Sequence, residues 1–200
     1  MQKEIEFRGS PSPMKVKSNQ KNQNVIEGYA LVFNKPSRNL GDFYEVIDPN
    51  ALKETDFSDV RALVNHNQNL VVSRSTSGTL QLSVDDVGLK FRALVANTTY
   101  GRDLLENIRN GNIDECSFGF VLSKDGDAYS YDESRQMRRR QLNNIASIVD
   151  ISFVTYPAYP DAKLIKPESE VNLNDKNLSD MTSEEYDRYK RKLKLELELM

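Results

Sequence analysis

A single cysteine and a single histidine are all the thiol and imidazole ligands that 200 residues offer. Cys116 alone cannot close an internal disulfide, and with no CxxC or Cys/His cluster a structural metal site has no ligands. The expected setting is a reducing compartment. His66 alone also excludes an HExxH zinc site, a three-histidine metal centre and a Ser-His-His triad. Long apolar runs are missing as well. The N-terminus, MQKEIEFRGSPSPMKVKSNQKNQN, lacks the apolar core of a signal peptide, and no later run has the length of a bilayer span. A cytoplasm-like space follows as an expectation. Nor is there an excess of one charge: Lys and Arg total 27 against 30 for Asp and Glu, a net charge of -3. That balance gives no electrostatic ground for binding nucleic acid or an anionic membrane, so proteins are the expected partners. No cofactor is implied.

What is present reads as one mainly β domain with flanking helices. Residues 1–24 are expected to be a flexible arm, because 8 to 24 are rich in Ser, Pro, Lys, Asn and Gln and show no apolar period. From Val25 the chain turns to short apolar runs bounded by Asn, Pro, Gly and Asp: VIEGYALVF, DFYEVI and VRALVNH. Between the second and third, Asp48 as cap and Pro49 in the first turn predict a short helix over DPNALKET. Residues 70 to 96 (LVVSR, TLQLSV, VGLKFRALVA) predict an antiparallel meander with turns at Ser77-Gly78 and Asp85-Asp86. Thr98 to Arg109 predicts an amphipathic helix with Leu104, Leu105 and Ile108 on one face and Gly111 past its end. IDECSFGFVL, AYSYDE and RRRQLNNIASIVDISFVTY return to β. The expected total is seven to nine strands and two core helices. The core domain is placed at 25–165, a polar linker at 166–181, and a charged helix at 182–200 opened by the capping box Thr182-x-x-Glu185.

Three positions carry candidate chemistry. His66 follows the alternating run RALVN and so sits at a strand end, where it is either an imidazole base or a polar residue without a role. Ser117, in DECSFGF, lies early in a strand with Gly119 two residues on. A glycine inside a strand marks a close approach, either of a substrate or of a neighbouring strand. Neighbouring strand residues face opposite ways, so only one of Cys116 and Ser117 meets a given base, and Cys116 is expected to pack inward. Asp150 interrupts an apolar β run, where an unpaired carboxylate is costly. Its partner is either an imidazole Nδ1–H or an arginine from Arg135 and Arg138 to Arg140.

In their order along the chain, NHN at a strand end, GRDLLENIRNGNIDECSFGF, and VDISFVTYPAYPDA resemble the prohead, or capsid maturation, proteases of tailed bacteriophages. EGYALVFN, FYEVIDPNAL and SRSTSGTLQLSVDDVGLKF extend the resemblance over about residues 25 to 165. It implies a fold similar to the herpesvirus assemblin proteases, a closed antiparallel β-barrel flanked by helices. It also implies a serine endopeptidase, with the family histidine on His66, the serine of S-x-G-F on Ser117 and the acidic third member on Asp150. That third member is more often glutamate in the family, and the second histidine of the assemblins is absent here. A post-triad loop at Tyr156, Pro157, Ala158 and Tyr159, running to Ala162, is where the resemblance puts oxyanion donors, with Arg74 as a side-chain alternative. The implied substrates are the scaffolding segment of the major capsid protein and the protease itself. The implied place is the assembling prohead in the host bacterial cytoplasm, and analogy with assemblins allows a homodimer or higher oligomer. The rival from another class is a non-catalytic capsid-assembly scaffold module.

Overall fold

Alternation of apolar and polar residues places most of the core in strands. A computed structural model describes residues 4–10, 14–18 and 24–156, all within the first of two units of the chain, 1–162 and 163–200. In chain order the strands are β1 (Glu6–Ser10), β2 (Lys15–Ser18), β3 (Asn24–Val32), β4 (Phe43–Ile47), β5 (Arg61–Val64), β6 (Asn67–Arg74), β7 (Leu80–Val84) and β8 (Gly88–Leu94). Helix α1 (Thr99–Arg109) follows, then β9 (Glu115–Leu122), β10 (Asp127–Asp132), β11 (Met137–Leu142) and β12 (Ile145–Val154). They form a five-stranded sheet ordered β1-β9-β12-β5-β6, a three-stranded sheet β10-β11-β4 and a four-stranded sheet β2-β3-β8-β7.

The closed antiparallel barrel expected above is therefore corrected: the described residues are mostly β, but the three sheets are open, and β11–β4 and β12–β5 pair in parallel. The outer edge of β6 meets a helix start in place of another strand. Val72 O accepts the Ala96 N–H at 3.2 Å and Val71 O accepts the Tyr100 hydroxyl at 3.0 Å, so those carbonyls of the edge are already satisfied. The expected meander divides for the same reason. β7 and β8 pair, but β6 belongs with β5 in a different sheet.

Two local expectations change as well. Residues 48–55 form successive turns, with Ala51 N–H on Asp48 O at 2.9 Å and Lys53 N–H on Asn50 O at 3.1 Å. They form no helix, since Ala51 O and the Thr55 hydroxyl are drawn instead to the main chain of Ile145. In the N-terminal arm, residues 6–10 and 15–18 are strands, paired with β9 and β3 respectively. The linker at 166–181 and the helix at 182–200 lie outside the described residues. One helix forms among those described. Thr98 Oγ1 caps it by accepting the Gly101 N–H at 3.1 Å, and Leu104 and Leu105 are buried. They join a core built on Phe91, Phe118, Phe120 and Phe153, with Phe91 and Phe153 packed edge to face at 5.9 Å.

Candidate active site

β9 lies inside the five-stranded sheet, with Gly9 of β1 opposite Ser117 on one side and Ser152 of β12 opposite it on the other. Its core-facing residues, Cys116, Phe118 and Phe120, are almost wholly buried. Ser117 and Gly119 point to the other face. Burial pushes the Cys116 thiol up to about 12, so a thiolate nucleophile is unavailable there. The inward packing expected of Cys116 matches its place in the core.

Asp150 reaches the Ser117 face through an irregularity. Ile148 pairs with Phe120, but Asp150 pairs with Gly119, so Val149 is an extra residue on β12. A β-bulge of this kind resets the alternation, leaving Ile148 in the core and turning Asp150 and Ser152 to the opposite face. Gly119 makes room for the carboxylate: a Cβ there would stand 2.7 Å from Asp150 Oδ2 and 2.9 Å from the Phe7 ring. None of the arginines named as alternative partners holds Asp150. Arg135 pairs with Asp132, Arg138 with Asp42, and Arg140 with Glu6, Glu45 and Asp127, while Arg139 bonds Gln141.

His66 arrives from a third element. Asn65 and His66 form the two-residue turn between β5 and β6, with φ of 51° and 54°. Positive φ at both positions is the signature of the hairpin turn whose twist suits the flanking strands, and asparagine is a residue that tolerates it. The turn is pinned to β12: the Asn65 N–H donates to Phe153 O at 3.0 Å, and Asn65 Oδ1 accepts the Thr155 N–H at 3.0 Å. From there the ring bridges the other two groups. Nδ1 lies 2.7 Å from Asp150 Oδ1 and Nε2 lies 2.7 Å from Ser117 Oγ. A carboxylate only accepts, so Nδ1 carries the proton, and Nε2 is left to accept the serine O–H. Phe7 packs edge-on against the imidazole, with centroids 4.4 Å apart. A cavity of about 350 Å³ opens beside the pair, lined by Ile5, Phe7, Leu63, His66, Gln68 and Asp150 among others.

Of the remaining predicted positions, neither Arg74 nor Tyr156 makes a bond to these three residues. The Arg74 guanidinium is held by Asp59 through bonds of 2.6 and 2.7 Å, and the residue lines a different cavity of about 760 Å³. Tyr156 is 75% exposed just beyond β12. Pro157, Ala158 and Tyr159 lie outside the described residues. Two contributors were not singled out from sequence: Asn65, whose left-handed turn position was legible in principle, and Ser152, which reads as one more small polar residue in a strand.

A hydroxyl, an imidazole and a carboxylate linked in that order have what a serine nucleophile needs: a base to take its proton and an acid to orient the base. The chain belongs to the caudovirus prohead serine protease family, which it matches over residues 12–177. It is a serine protease of capsid maturation, and the scaffold reading gives way. Among solved structures it is similar to that of the bacteriophage T4 capsid assembly protease, gp21, with 13% identity and a TM-score of 0.48, covering 75% of this chain and 98% of that one. No curated protein matches the chain. Among the described residues no helix is long and apolar enough to cross a membrane.

Proposed function

We propose that this protease works through Ser117 as nucleophile, His66 as general base and Asp150 as the orienting acid. The observation that carries the reading is the unbroken Asp150–His66–Ser117 hydrogen-bond chain, 2.7 Å at each link, assembled from three separate elements. Ser117 Oγ attacks the scissile carbonyl as Nε2 takes its proton. The same proton then passes to the leaving amine, and an acyl-enzyme remains on Oγ. Water, deprotonated by His66, releases it. Asp150 stays a carboxylate throughout and stabilises the imidazolium. Ser117 has no exposed surface, so the groups that cover its Oγ must move aside before a peptide carbonyl reaches it.

The substrates in this reading are the scaffolding segment of the major capsid protein and the protease's own polar stretch at 166–180, cut within the prohead in the host cytoplasm. Oxyanion donors are assigned to the loop from Tyr156 to Ala162. Intact mass of the purified chain over time, beside Ser117→Ala and a fluorophosphonate-treated sample, tests the nucleophile. Loss of a terminal segment is expected in the wild type, with one adduct on Ser117. In the variant the rate should fall by roughly 10⁴-fold or more. A Ser117→Ala chain that shortens as fast as wild type would remove Ser117 from the mechanism.

A further inference from the structure

We propose that Ser152 is a positioning residue of this site, a buried serine whose single oxygen ties the main chain of His66 to the carboxylate that orients its ring. The inference rests on the reading of Ser117 as nucleophile given above. Ser152 has no exposed surface and stands opposite Ser117 in the β12–β9 register. Its hydroxyl donates to Asp150 Oδ1 at 2.8 Å, and its oxygen accepts the His66 N–H at 3.1 Å. A buried serine with no further role commonly bonds main-chain groups near its own position. Here one side-chain bond goes to the acid and the other to the base, 86 residues away along the chain.

The need for such a tie follows from the turn. His66 sits at φ 54°, a left-handed conformation that crowds a residue with a Cβ. Strain of that kind persists only where the surroundings over-determine it. Its ring is oriented by Asp150 at Nδ1 and packs on Phe7, and Asn65 pins the neighbouring residue of the turn to β12, but none of these bonds holds the main chain of His66 itself. The Ser152 oxygen supplies the second anchor, at the main chain. The two anchors are joined to each other by the Ser152 Oγ–Asp150 Oδ1 bond, so a shift of the carboxylate is coupled to a shift of the turn. The donor to Oδ1 also fixes which way that oxygen's remaining lone pair points, toward Nδ1.

Ser152→Ala, the shape-matched pair Ser152→Thr and Ser152→Val, and Ser117→Ala form the test set. Fluorophosphonate labelling of Ser117 is resolved into reagent affinity and maximal rate. The downfield Nδ1 proton is followed by NMR, where it is unambiguous because His66 is the only histidine. That signal is readable whether or not the reagent reaches Ser117. Ser152→Ala and Ser152→Val should lower the maximal labelling rate roughly tenfold at unchanged affinity, the loss expected of a hydrogen bond to a charged group. They should also broaden the Nδ1 signal into exchange with water, while Ser152→Thr keeps both. Wild-type rates with an intact Nδ1 signal in the Ala and Val variants would overturn the proposal. Equal impairment of Thr and Val would overturn it too, since packing would then be the cause. If Ser117→Ala is still labelled or still shortens, the nucleophile reading itself falls; if it is inert and Ser152→Ala is unimpaired, only the positioning role falls.

Discussion

Cys116 and Ser117 are adjacent, and which of the two could be a nucleophile turns on which way each faces. The strand period gives them opposite faces, and the core takes Cys116, whose side chain is wholly covered. With the thiol pushed up to about 12 by burial, a neutral SH with no route to solvent is what an alkylating reagent would meet. Iodoacetamide should therefore leave the folded chain unmodified at pH 8 and label it fully in denaturant, as read by mass. Cys116→Ala should leave the labelling rate of Ser117 within about twofold of wild type, since its side chain faces the core and not the Ser117 hydroxyl. Labelling of native Cys116 at a rate near that of a free thiol would contradict the assigned face. This much was legible beforehand, because alternation needs only the sequence. The partner of Asp150 was not: a carboxylate in an apolar run calls for a partner, but histidine and arginine satisfy the call equally until the topology is known.

At the scale of elements, the site depends on a bulge and a missing side chain acting together. Val149 is the extra residue that turns Asp150 toward Ser117, and Gly119 is the gap that the carboxylate fills. In Gly119→Ala the new methyl would stand 2.7 Å from Asp150 Oδ2. The Phe7 ring can rotate away, but the carboxylate cannot yield without leaving His66. A displacement of that size in the carboxylate that the proposed mechanism uses to orient His66 is expected to slow the labelling of Ser117 by about a hundredfold. The fold should remain, at about 1–3 kcal/mol lower stability by denaturant titration. Unchanged labelling would mean that the carboxylate does not need its present position. The glycine stood out in the sequence as a point of close approach; what approaches it did not, because a bulge has no sequence signature and shifts every later residue to the other face. The arm was misread for a related reason. β1 turns its charged residues, Glu6 and Arg8, toward ion-pair partners and its phenylalanine toward His66, so the usual sign of a buried strand is inverted.

Across the whole molecule those charged residues join two sheets. Arg140 of β11 bonds Glu6 of β1 at 2.6 and 2.9 Å, Glu45 of β4 at 3.1 Å and Asp127 of β10 at 2.7 Å, and Arg8 of β1 reaches Glu45 at 3.2 Å. The five-stranded sheet that carries the site is thereby tied to the three-stranded one through β1, the strand that lies along β9 and packs Phe7 on His66. Burial holds the Glu45 carboxyl above its ordinary range against the pull of Arg8 and Arg140. Glu6 is half-buried, which raises it, but its bonds and attraction to Arg140 and Arg8 prevail and hold it below. Arg140→Ala would leave Glu45 facing Arg8 alone, and removing one member of a buried ion pair costs about 3–5 kcal/mol. The pH dependence has a definite sign. Glu45, raised in the folded state, costs stability increasingly as the pH rises from the ordinary carboxylate range through its raised value, and more so without Arg140. Glu6, lowered in the folded state by Arg140, contributes stability above the ordinary carboxylate range that fades as the pH falls through its lowered value. Both effects make the deficit of the variant largest near neutrality and smaller toward pH 4. Urea titrations of wild type and Arg140→Ala at pH 7, 5.5 and 4 should show the two midpoints converging with acid. A gap that is constant across that range would mean that neither carboxylate's ionisation is coupled to Arg140.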